Sequence, residues 1–396
     1  MQILSQSPLD PDFVQNPYPF YDRVRQGGPF VVWPEYGFRV TARAAIVGMA
    51  LRDRRMGREA PSDQAVDIPS HLEPFYAIER HSMLELEAPR HTRLRKLVAK
   101  AFTSGRIAAM EKQIVALSNR LIDAMPEGGC DLLEHFAKPL PVIVISRLLG
   151  VPETDGPQLL AWSNAMVQMY QARRDVSLEE EAAKASAEFA AYLGALIEAR
   201  RKSPGDDLIS ELIAVEEEGT HLSRDELIST VILLLNAGHE ATVHMTGNGV
   251  KTLIEQSVAP HWLERERIEG TIEELLRFDP PLHLFTRWLY EDMEFQGQVL
   301  KKGERVGLLL AGANRDPSAW DDPSVFDASR PVRTNFSFGA GTHFCIGAPL
   351  ARLELRIAIP MLFARLRDLS LPRRPYYADL YHFHGLERLE VSYSKA

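Results

Sequence analysis

The chain has 396 residues, of which 45% are hydrophobic and 25% are charged, as in an ordinary soluble globular protein with a sizeable core. Its formal net charge of −9 argues against nucleic acid as the main partner, because surfaces that bind nucleic acid carry an excess of basic residues. The two cysteines, Cys130 and Cys345, are too few for a disulfide framework. Cys130 lies between two apolar segments and is interpreted as a packing residue.

The N-terminal 25 residues contain four prolines and no apolar run long enough for a signal peptide or a membrane span. We therefore expect neither a secretory leader nor a membrane anchor. Residues 30–33 and 38–41 predict two short strands, joined by a turn at residues 34–37. Residues 57–82 carry three prolines and no sustained period, which predicts a long loop with short helical pieces.

A helical period dominates from residue 90 onward, and Ser223 followed by acidic residues is typical of a helix N-terminus. The predicted helices span residues 90–101, 107–125, 131–149, 158–173, 178–202, 207–217, 223–255, 265–277 and 348–367. Short strands are predicted within residues 291–310, and a terminal strand within residues 372–396. Because no repeat or linker is visible, we expect residues 1–396 to form one mainly α domain with small β-sheets, an α+β class.

The most distinctive stretch is residues 338–352, which read Phe-Gly-x-Gly-x-His-x-Cys-x-Gly-x-x-Leu-Ala-Arg. Gly339 and Gly341 permit left-handed backbone angles, and a helical pattern follows the Cys345 thiol. A thiolate is a soft anionic metal ligand, and a helix N-terminus behind it would stabilise its charge. A lone Gly-x-Gly would predict only a turn with a structural cysteine. The complete pattern resembles the haem-ligating loop of the cytochrome P-450 superfamily.

That resemblance implies haem b, iron protoporphyrin IX, with the Cys345 thiolate as its axial ligand. Gly347 would let the following helix approach the cofactor, and the absence of a CxxCH motif means that no thioether links would hold it. The implied fold is a single triangular-prism-like domain built round a long central helix and the haem. The implied activity is that of a soluble, cytoplasmic monooxygenase, which inserts one oxygen atom from O2 into a hydrophobic organic substrate.

The predicted long helix carries the small residues Ala237 and Gly238, followed by Glu240 and Thr242. Small residues would leave room for a ligand beside the helix. A mid-helix threonine usually bonds back to the carbonyl four residues earlier, and a lone glutamate is usually a solvated charge. The segment nevertheless resembles the family's oxygen-binding helix, which implies that Glu240 and Thr242 manage the protons needed to split dioxygen.

Two residues of this helix depart from the family pattern. Ala241 stands where a second threonine is frequent, which leaves Thr242 as the only hydroxyl. His244 lies about one turn after Glu240, and we interpret it as a packed or water-bonded histidine rather than a second acid.

Glu274 and Arg277 are three residues apart and therefore share a helical face, which in isolation predicts a weak surface pair. They resemble the family's Glu-x-x-Arg motif, whose pair binds a later arginine, for which Arg330 or Arg333 is the candidate. The implied role is structural support for the cysteine loop.

The two haem propionates would need cationic or hydrogen-bonding partners. His91 and Arg95 are four residues apart and resemble the family's propionate-binding helix, and Arg287 and His343 match its other contacts. Arg90 stands where the family often has glutamate, which concerns only local surface charge.

The opposite face of the same predicted helix is basic. Together with two arginines that follow the cysteine loop, it predicts a docking surface for an acidic ferredoxin or flavodoxin, supplied with electrons from NAD(P)H by a reductase. The alternative is an ordinary solvated face. This basic surface comprises Arg93, Lys96, Lys100, Arg352 and Arg356.

The family resemblance also implies a substrate pocket, although methionine and aromatic residues at helical spacing are more often core. The implied lining is mostly apolar and favours a hydrophobic substrate, with His283 as a possible polar anchor. Its residues are Phe75, Tyr76, Met166, Met169, Leu233, His283, Leu284 and Phe285.

Two alternatives remain at this stage. One is a peroxide-using, isomerase or dehydratase member of the same fold, against which the pair Glu240 and Thr242 argues, because peroxide already carries reduced oxygen. The other is a haem-thiolate sensor without turnover, in which a spacious apolar pocket and an electron-donor surface would have no use.

Overall fold

The computed structural model describes residues 2–64, 67–170, 174–215, 219–379, 381 and 383–395. Most of these residues are helical, in agreement with the predicted class. The α-helices are α1 Pro11–Gln15, α2 Tyr18–Gln26, α3 Ala44–Ala50, α4 Glu73–Glu79, α5 Arg90–Ala101, α6 Ser104–Ala109, α7 Glu111–Ala124, α8 Pro139–Leu149, α9 Gly156–Val167, α10 Val176–Lys202, α11 Leu208–Ala214, α12 Arg224–Glu255, α13 Ile268–Phe278, α14 Leu310–Ala313 and α15 Ala348–Arg365.

The strands form small sheets at the edges of the helical body. They are β1 Val31–Trp33, β2 Phe38–Thr41, β3 Met56–Gly57, β4 Gly129–Asp131, β5 Leu284–Leu289, β6 Met293–Phe295, β7 Gln298–Leu300, β8 Arg305–Leu309, β9 Leu366–Ser370, β10 Tyr376–Tyr377, β11 Leu386–Arg388 and β12 Glu390–Lys395. The largest sheet has the order β1-β2-β8-β5-β3, in which only β2 and β8 run parallel. A second sheet has the order β4-β12-β9, and β6-β7 and β10-β11 form two-stranded pairs.

Helix α12 runs through the largest hydrophobic cluster and packs against α8, α10 and α15. Its start is fixed by a capping box, in which the Ser223 hydroxyl accepts from the backbone N–H of Glu226 and the Glu226 carboxylate accepts from that of Ser223. The helix has 32 residues, and its interior is mostly buried. No helix within the described ranges combines the length and the apolar character needed to cross a bilayer.

Proline and strand pairing explain two differences from the predicted helices. The predicted helix at residues 131–149 is divided into a π-helical turn, Leu133–Ala137, and helix α8, because Pro139 lacks an N–H group and begins a new helix. Helix α15 ends two residues early, since Leu366 enters β9 and pairs with Lys395 of β12.

Other boundaries differ without so direct a cause. The predicted helix at residues 107–125 is two helices, α6 and α7, which meet at Met110. Helices α1 to α3 and strand β5 were not predicted. The helix predicted at residues 158–173 corresponds to α9 and a 3₁₀ turn that follows it, and residues 171–173 lie outside the described ranges. The helix predicted at residues 207–217 corresponds to α11, and residues 216–217 lie outside the described ranges.

A buried ion pair joins α13 to the segment that precedes the cysteine loop. Arg277 and Glu274 are 1% and 3% exposed, with Arg277 Nε 2.7 Å from Glu274 Oε2. The remaining N–H groups of Arg277 reach the other Glu274 oxygen and the backbone carbonyls of residues 314, 323 and 325. Arg330 adds a 3.3 Å contact from its Nε to Glu274, so it is the arginine that meets this pair.

We expect Glu274→Gln to lower the free energy of unfolding by about 3–5 kcal/mol, because it leaves the buried Arg277 cation without a counter-charge. Chemical denaturation of the haem-loaded protein measures this loss. Glu198→Gln is the matched control, since Glu198 pairs with Arg201 at the surface and its loss should cost less than about 1 kcal/mol. Equal losses in the two variants would contradict the supporting role of Glu274.

Candidate active site

One large cavity, of about 960 Å³, lies between α12 and the loop that carries Cys345. Its walls are mostly apolar, and α12, α15, β5 and the loop after α4 contribute to them. Most of the predicted cofactor residues line this one space: His91, Arg95, Ala237, Gly238, His343, Cys345 and Gly347, together with Glu240 and Thr242. Residues separated by 250 positions in the chain are thus brought to a common site.

The Cys345 loop is held in a conformation that its glycines allow. Gly339 and Gly341 have φ angles of +67° and +71°, and a Cβ atom at Gly341 would overlap the carbonyl oxygen of Leu51. The backbone N–H of Cys345 donates to the carbonyl of Phe338 over 3.0 Å, which closes the loop. Cys345 retains accessible surface although it lies inside the protein, because its thiol faces the cavity.

Burial raises the pKa of the Cys345 thiol. The backbone N–H groups of Gly347 and Ala348 oppose that rise by donating to the sulfur, and the nearby Arg95 and Arg352 cations act in the same direction. The backbone N–H groups of Gly347 and Ala348 lie at the start of α15, where a helix favours negative charge. The loop therefore has the donor set that an anionic sulfur ligand requires.

A cluster able to hold anions lies beside the thiol. The rings of His91 and His343 stack with centroids 4.3 Å apart, and buried Nε2 of His91 has no hydrogen-bond partner among the described residues. Burial, and then the His343 and Arg95 charges, lower the pKa of His91 to about 4 despite the opposing pull of Glu87. The imidazoles of His91 and His343 beside the Arg95 guanidinium fit the carboxylates of a flat anionic cofactor such as haem.

His343 has a partner that the sequence did not indicate. Its Nε2 lies 2.8 Å from Oε1 of Glu87, a residue 256 positions away. Burial alone would raise the pKa of Glu87, but hydrogen bonds from His343 and from the backbone N–H of Arg58 lower it below the ordinary value. No local pattern could have revealed this pairing.

Arg287 lies behind the cavity wall rather than on it. It is 2% exposed and donates to the carbonyl of Thr286, and burial, with the neighbouring Arg58 cation, lowers its pKa to about 10. Arg58, which was not predicted, lines the cavity instead, with its Nη2 2.5 Å from Glu85 and its Nε without a hydrogen-bond partner among the described residues.

The oxygen-side residues predicted on α12 all border the cavity. At Gly238 an added Cβ atom would lie 3.0 Å from Ile145 Cγ1. The missing side chain therefore makes room for Ile145 of α8 and also leaves space for a ligand in the cavity. The hydroxyl of Thr246, not that of Thr242, makes the back-bond within this stretch, 2.8 Å to the Thr242 carbonyl. Burial alone would raise the pKa of Glu240, but contacts with His244 and His239 lower it.

The predicted substrate residues divide into two groups. Met169, Leu233, Leu284 and Phe285 line the cavity. Phe75, Tyr76, Met166 and His283 do not, because the first three pack in the largest hydrophobic cluster, and His283 is fully buried between the Tyr21 hydroxyl and the Pro280 carbonyl.

Two wall glutamates, Glu79 and Glu354, were not predicted. Burial, and then the charge of Glu85, raise the pKa of Glu79 to about 8, and burial raises the pKa of Glu354 well above its ordinary value. Burial thus favours the neutral carboxyl group at both positions, which lowers the charge of the cavity wall.

The predicted basic surface lies near the cysteine loop, since Arg95 of the same helix donates to the Phe344 carbonyl over 2.6 Å. Within it, Arg93 pairs with Glu226 and Arg352 pairs with Glu273. Lys96 and Lys100 are exposed, and Arg356 is half-buried.

Asp279, His283 and His384 form a buried cluster whose possible ligand atoms lie within 4.8 Å of one another. We assign it no metal, because the Lys251 ammonium already lies 2.9 Å from Asp279 Oδ2, and His384 donates from Nε2 to a backbone carbonyl. Burial alone would raise the pKa of Asp279, but Lys251, His384 and the Tyr377 hydroxyl hold it well below its ordinary value.

A depressed pKa in the folded state contributes stability above the unfolded value, which is about 3.9 for aspartate, and that contribution is lost as the pH falls. We therefore expect Asp279→Asn to lower the melting temperature near neutral pH, with the difference from the parent protein shrinking below pH of about 4. Scanning calorimetry across this range measures it. Asp206→Asn, at a fully exposed position, should show neither effect.

Comparisons with known proteins agree with this geometry. The cytochrome P-450 family model matches residues 248–374. The chain is 37% identical over 389 residues to the cytochrome P-450 monooxygenase PikC of Streptomyces venezuelae, covering 94% of this chain and 89% of that protein. It is 37% identical to the vitamin D(3) 25-hydroxylase of Pseudonocardia autotrophica, covering 96% and 94%. A solved structure of cytochrome P-450 BioI, with an acyl carrier protein ligated to hexadec-9Z-enoic acid, superposes with a TM-score of 0.91 at 33% identity, covering 97% of this chain and 100% of that one.

Proposed function

The chain belongs to the cytochrome P-450 family, and from that premise we propose how its own residues perform the family's chemistry. It has the P-450 fold and is a haem-thiolate monooxygenase that acts on small organic substrates with O2. Its cofactor is haem b with a cysteine thiolate ligand, and when bound this group supplies the redox centre at which dioxygen is activated.

Cys345 is the proposed iron ligand, and His91, Arg95 and His343 are the proposed partners of the propionates. The observation that carries this assignment is that Cys345, His91, Arg95 and His343 all line one cavity. Arg58 joins this set in place of a direct contact from Arg287, because Arg58 lies on the cavity wall. Ala237, Gly238 and Gly347 provide the small surfaces against which a flat cofactor can lie.

Glu240 and Thr242 are the proposed catalytic residues on the opposite wall. The Thr242 hydroxyl holds a water or dioxygen in position by hydrogen bonding, and the Glu240 carboxylate passes protons into the cavity. The lowered pKa of Glu240 keeps it ionised between transfers, so it is ready to accept each new proton. Substrate would lie against Met169, Leu233, Leu284 and Phe285.

We expect Thr242→Ala to reduce the product formed per NAD(P)H by roughly tenfold or more and to release peroxide in its place, because the hydroxyl that would position a proton donor in the cavity is lost. Substrate-induced spectral shifts should stay unchanged, since the cavity wall loses only a hydroxyl group. Product, peroxide and cofactor consumption are measured together. Thr242→Ser, which restores a hydroxyl, is the control, and unimpaired coupling in Thr242→Ala would contradict the proposed role of Thr242 in proton delivery.

We also propose that electrons come from an acidic ferredoxin or flavodoxin, with its reductase, at the basic surface beside the cysteine loop. Lys96 and Lys100 are its exposed members, on the helix whose Arg95 contacts that loop. Arg93 and Arg352 of the same surface lie in ion pairs with Glu226 and Glu273. A cytoplasmic single domain, residues 1–396, fits this supply of electrons and the free cysteines.

Charge reversal tests this surface. Lys96→Glu with Lys100→Glu should raise the donor's Michaelis constant by roughly tenfold at low salt, and the effect should fade as ionic strength rises. Reversal of Lys184, an exposed lysine of α10, is the matched control and should leave the donor kinetics unchanged. A salt-independent effect, or none, would contradict electrostatic docking at this face.

A further inference from the structure

The Glu240 carboxylate lies between two imidazoles on its own helix. His244 Nε2 is 3.4 Å from Glu240 Oε2, and His239 Nε2 is 3.9 Å from Glu240 Oε1. Neither histidine lines the cavity, whereas Glu240 does. A carboxylate that delivers protons must be reloaded after each transfer, and these two rings are the titratable groups in contact with it.

His239 is unsuited to reload Glu240. Its Nδ1–H donates to the Leu235 carbonyl over 2.7 Å, which leaves a lone pair at Nε2 in the neutral ring. Burial lowers the pKa of His239, so the ring stays neutral at physiological pH. The 3.9 Å separation is also too long for a hydrogen bond.

His244 has different surroundings. Its Nδ1 is buried and has no hydrogen-bond partner among the described residues, whereas the side chain as a whole is 13% exposed. The ring lies on Phe383, with centroids 5.9 Å apart, and a Cβ atom at Gly385 would overlap its Nδ1. Glycine at position 385 therefore makes the space that this histidine occupies.

The charged groups around this pair are few. Lys138, at the start of α8, acts on Glu240 and pairs with Glu134 of the π-helical turn. His384 follows Phe383 in the C-terminal segment, but it is engaged with the Val14 carbonyl and with Asp279. Among the described residues, His244 contacts Glu240 on one side and Phe383 and Gly385 on the other.

We propose that His244 supplies protons to Glu240 from outside the cavity, and this proposal rests on the proposed catalytic role of Glu240. The imidazolium gives up its Nε2 proton to Glu240 Oε2, which yields a neutral imidazole and a neutral carboxyl group. The carboxyl group then releases that proton into the cavity, and the imidazole takes a proton from water. One proton enters for each proton delivered, so the charge of the pair is restored.

His244→Phe tests the proposal, because phenylalanine keeps the ring against Phe383 and Gly385 but cannot titrate. We expect product per NAD(P)H to fall roughly threefold or more, with peroxide released in its place, since reloading of Glu240 becomes slow. Unchanged coupling in the variant would overturn the proposal.

Two comparisons separate a relay from a structural role. Product formation driven by added hydrogen peroxide, which already carries its protons, should be the same in His244→Phe as in the parent, and so should substrate-induced spectral shifts. An equal loss in the peroxide-driven reaction would mean that the residue only shapes the site. His239→Gln should retain normal coupling, and a loss there equal to that of His244→Phe would also overturn the proposal.

A thermal measurement tests the contact without turnover. The melting temperatures of Glu240→Gln, His244→Phe and the double variant should be non-additive, because the two side chains interact, and strict additivity would contradict the pairing. Coupling in Glu240→Gln distinguishes the two proposals. If Glu240→Gln uncouples the enzyme and His244→Phe does not, only the relay fails, whereas normal coupling in Glu240→Gln removes the role of Glu240 as well.

Discussion

Arg277 uses all five of its guanidinium N–H groups inside the protein, two on Glu274 and three on the backbone carbonyls of the segment before the cysteine loop. A buried guanidinium is tolerated only when it is fully paired, so this single side chain fixes where that segment must run. Arg330 and the backbone N–H of Asp327 add further donors to Glu274. The position of the thiol therefore depends on a charge pair that takes no part in the chemistry.

The residues around the cavity include buried polar atoms that have no hydrogen-bond partner among the described residues. Nε2 of His91 and Nε of Arg58 are two of them. Unpaired buried donors are costly in a folded protein, and they persist where a ligand satisfies them. Arg277, whose five N–H groups are all bonded, shows the opposite condition in the supporting part of the interior.

Helix α12 combines structural and chemical roles along its length. Its capped start and apolar faces anchor it among α8, α10 and α15, while its middle presents small residues, an acid and an alcohol to the cavity. The pKa of Glu240 lies below its ordinary value in spite of burial, and the hydrogen bond from His244 is the largest cause of this lowering. The same helix thus supplies both the proposed proton carrier and the residues that control its charge.

The sequence by itself determined whatever depends on neighbours in the chain. The cysteine loop, the spacing of Glu240 and Thr242, the pair Glu274 and Arg277, and the start of α12 at Ser223 could all be found in this way, because loop conformation, helical faces and helix caps are local properties. They were sufficient to indicate the family and its cofactor.

Only the tertiary structure decided which distant side chains meet. The pairing of His343 with Glu87, the place of Arg58 on the cavity wall, and the burial of His283 beside Tyr21 join residues separated by more than 200 positions. Such contacts depend on how helices and sheets pack, which no local period encodes. His244 is an example. The sequence predicted a packed or water-bonded histidine, and the structure shows its ring packed against Gly385, with Nε2 near the Glu240 carboxylate.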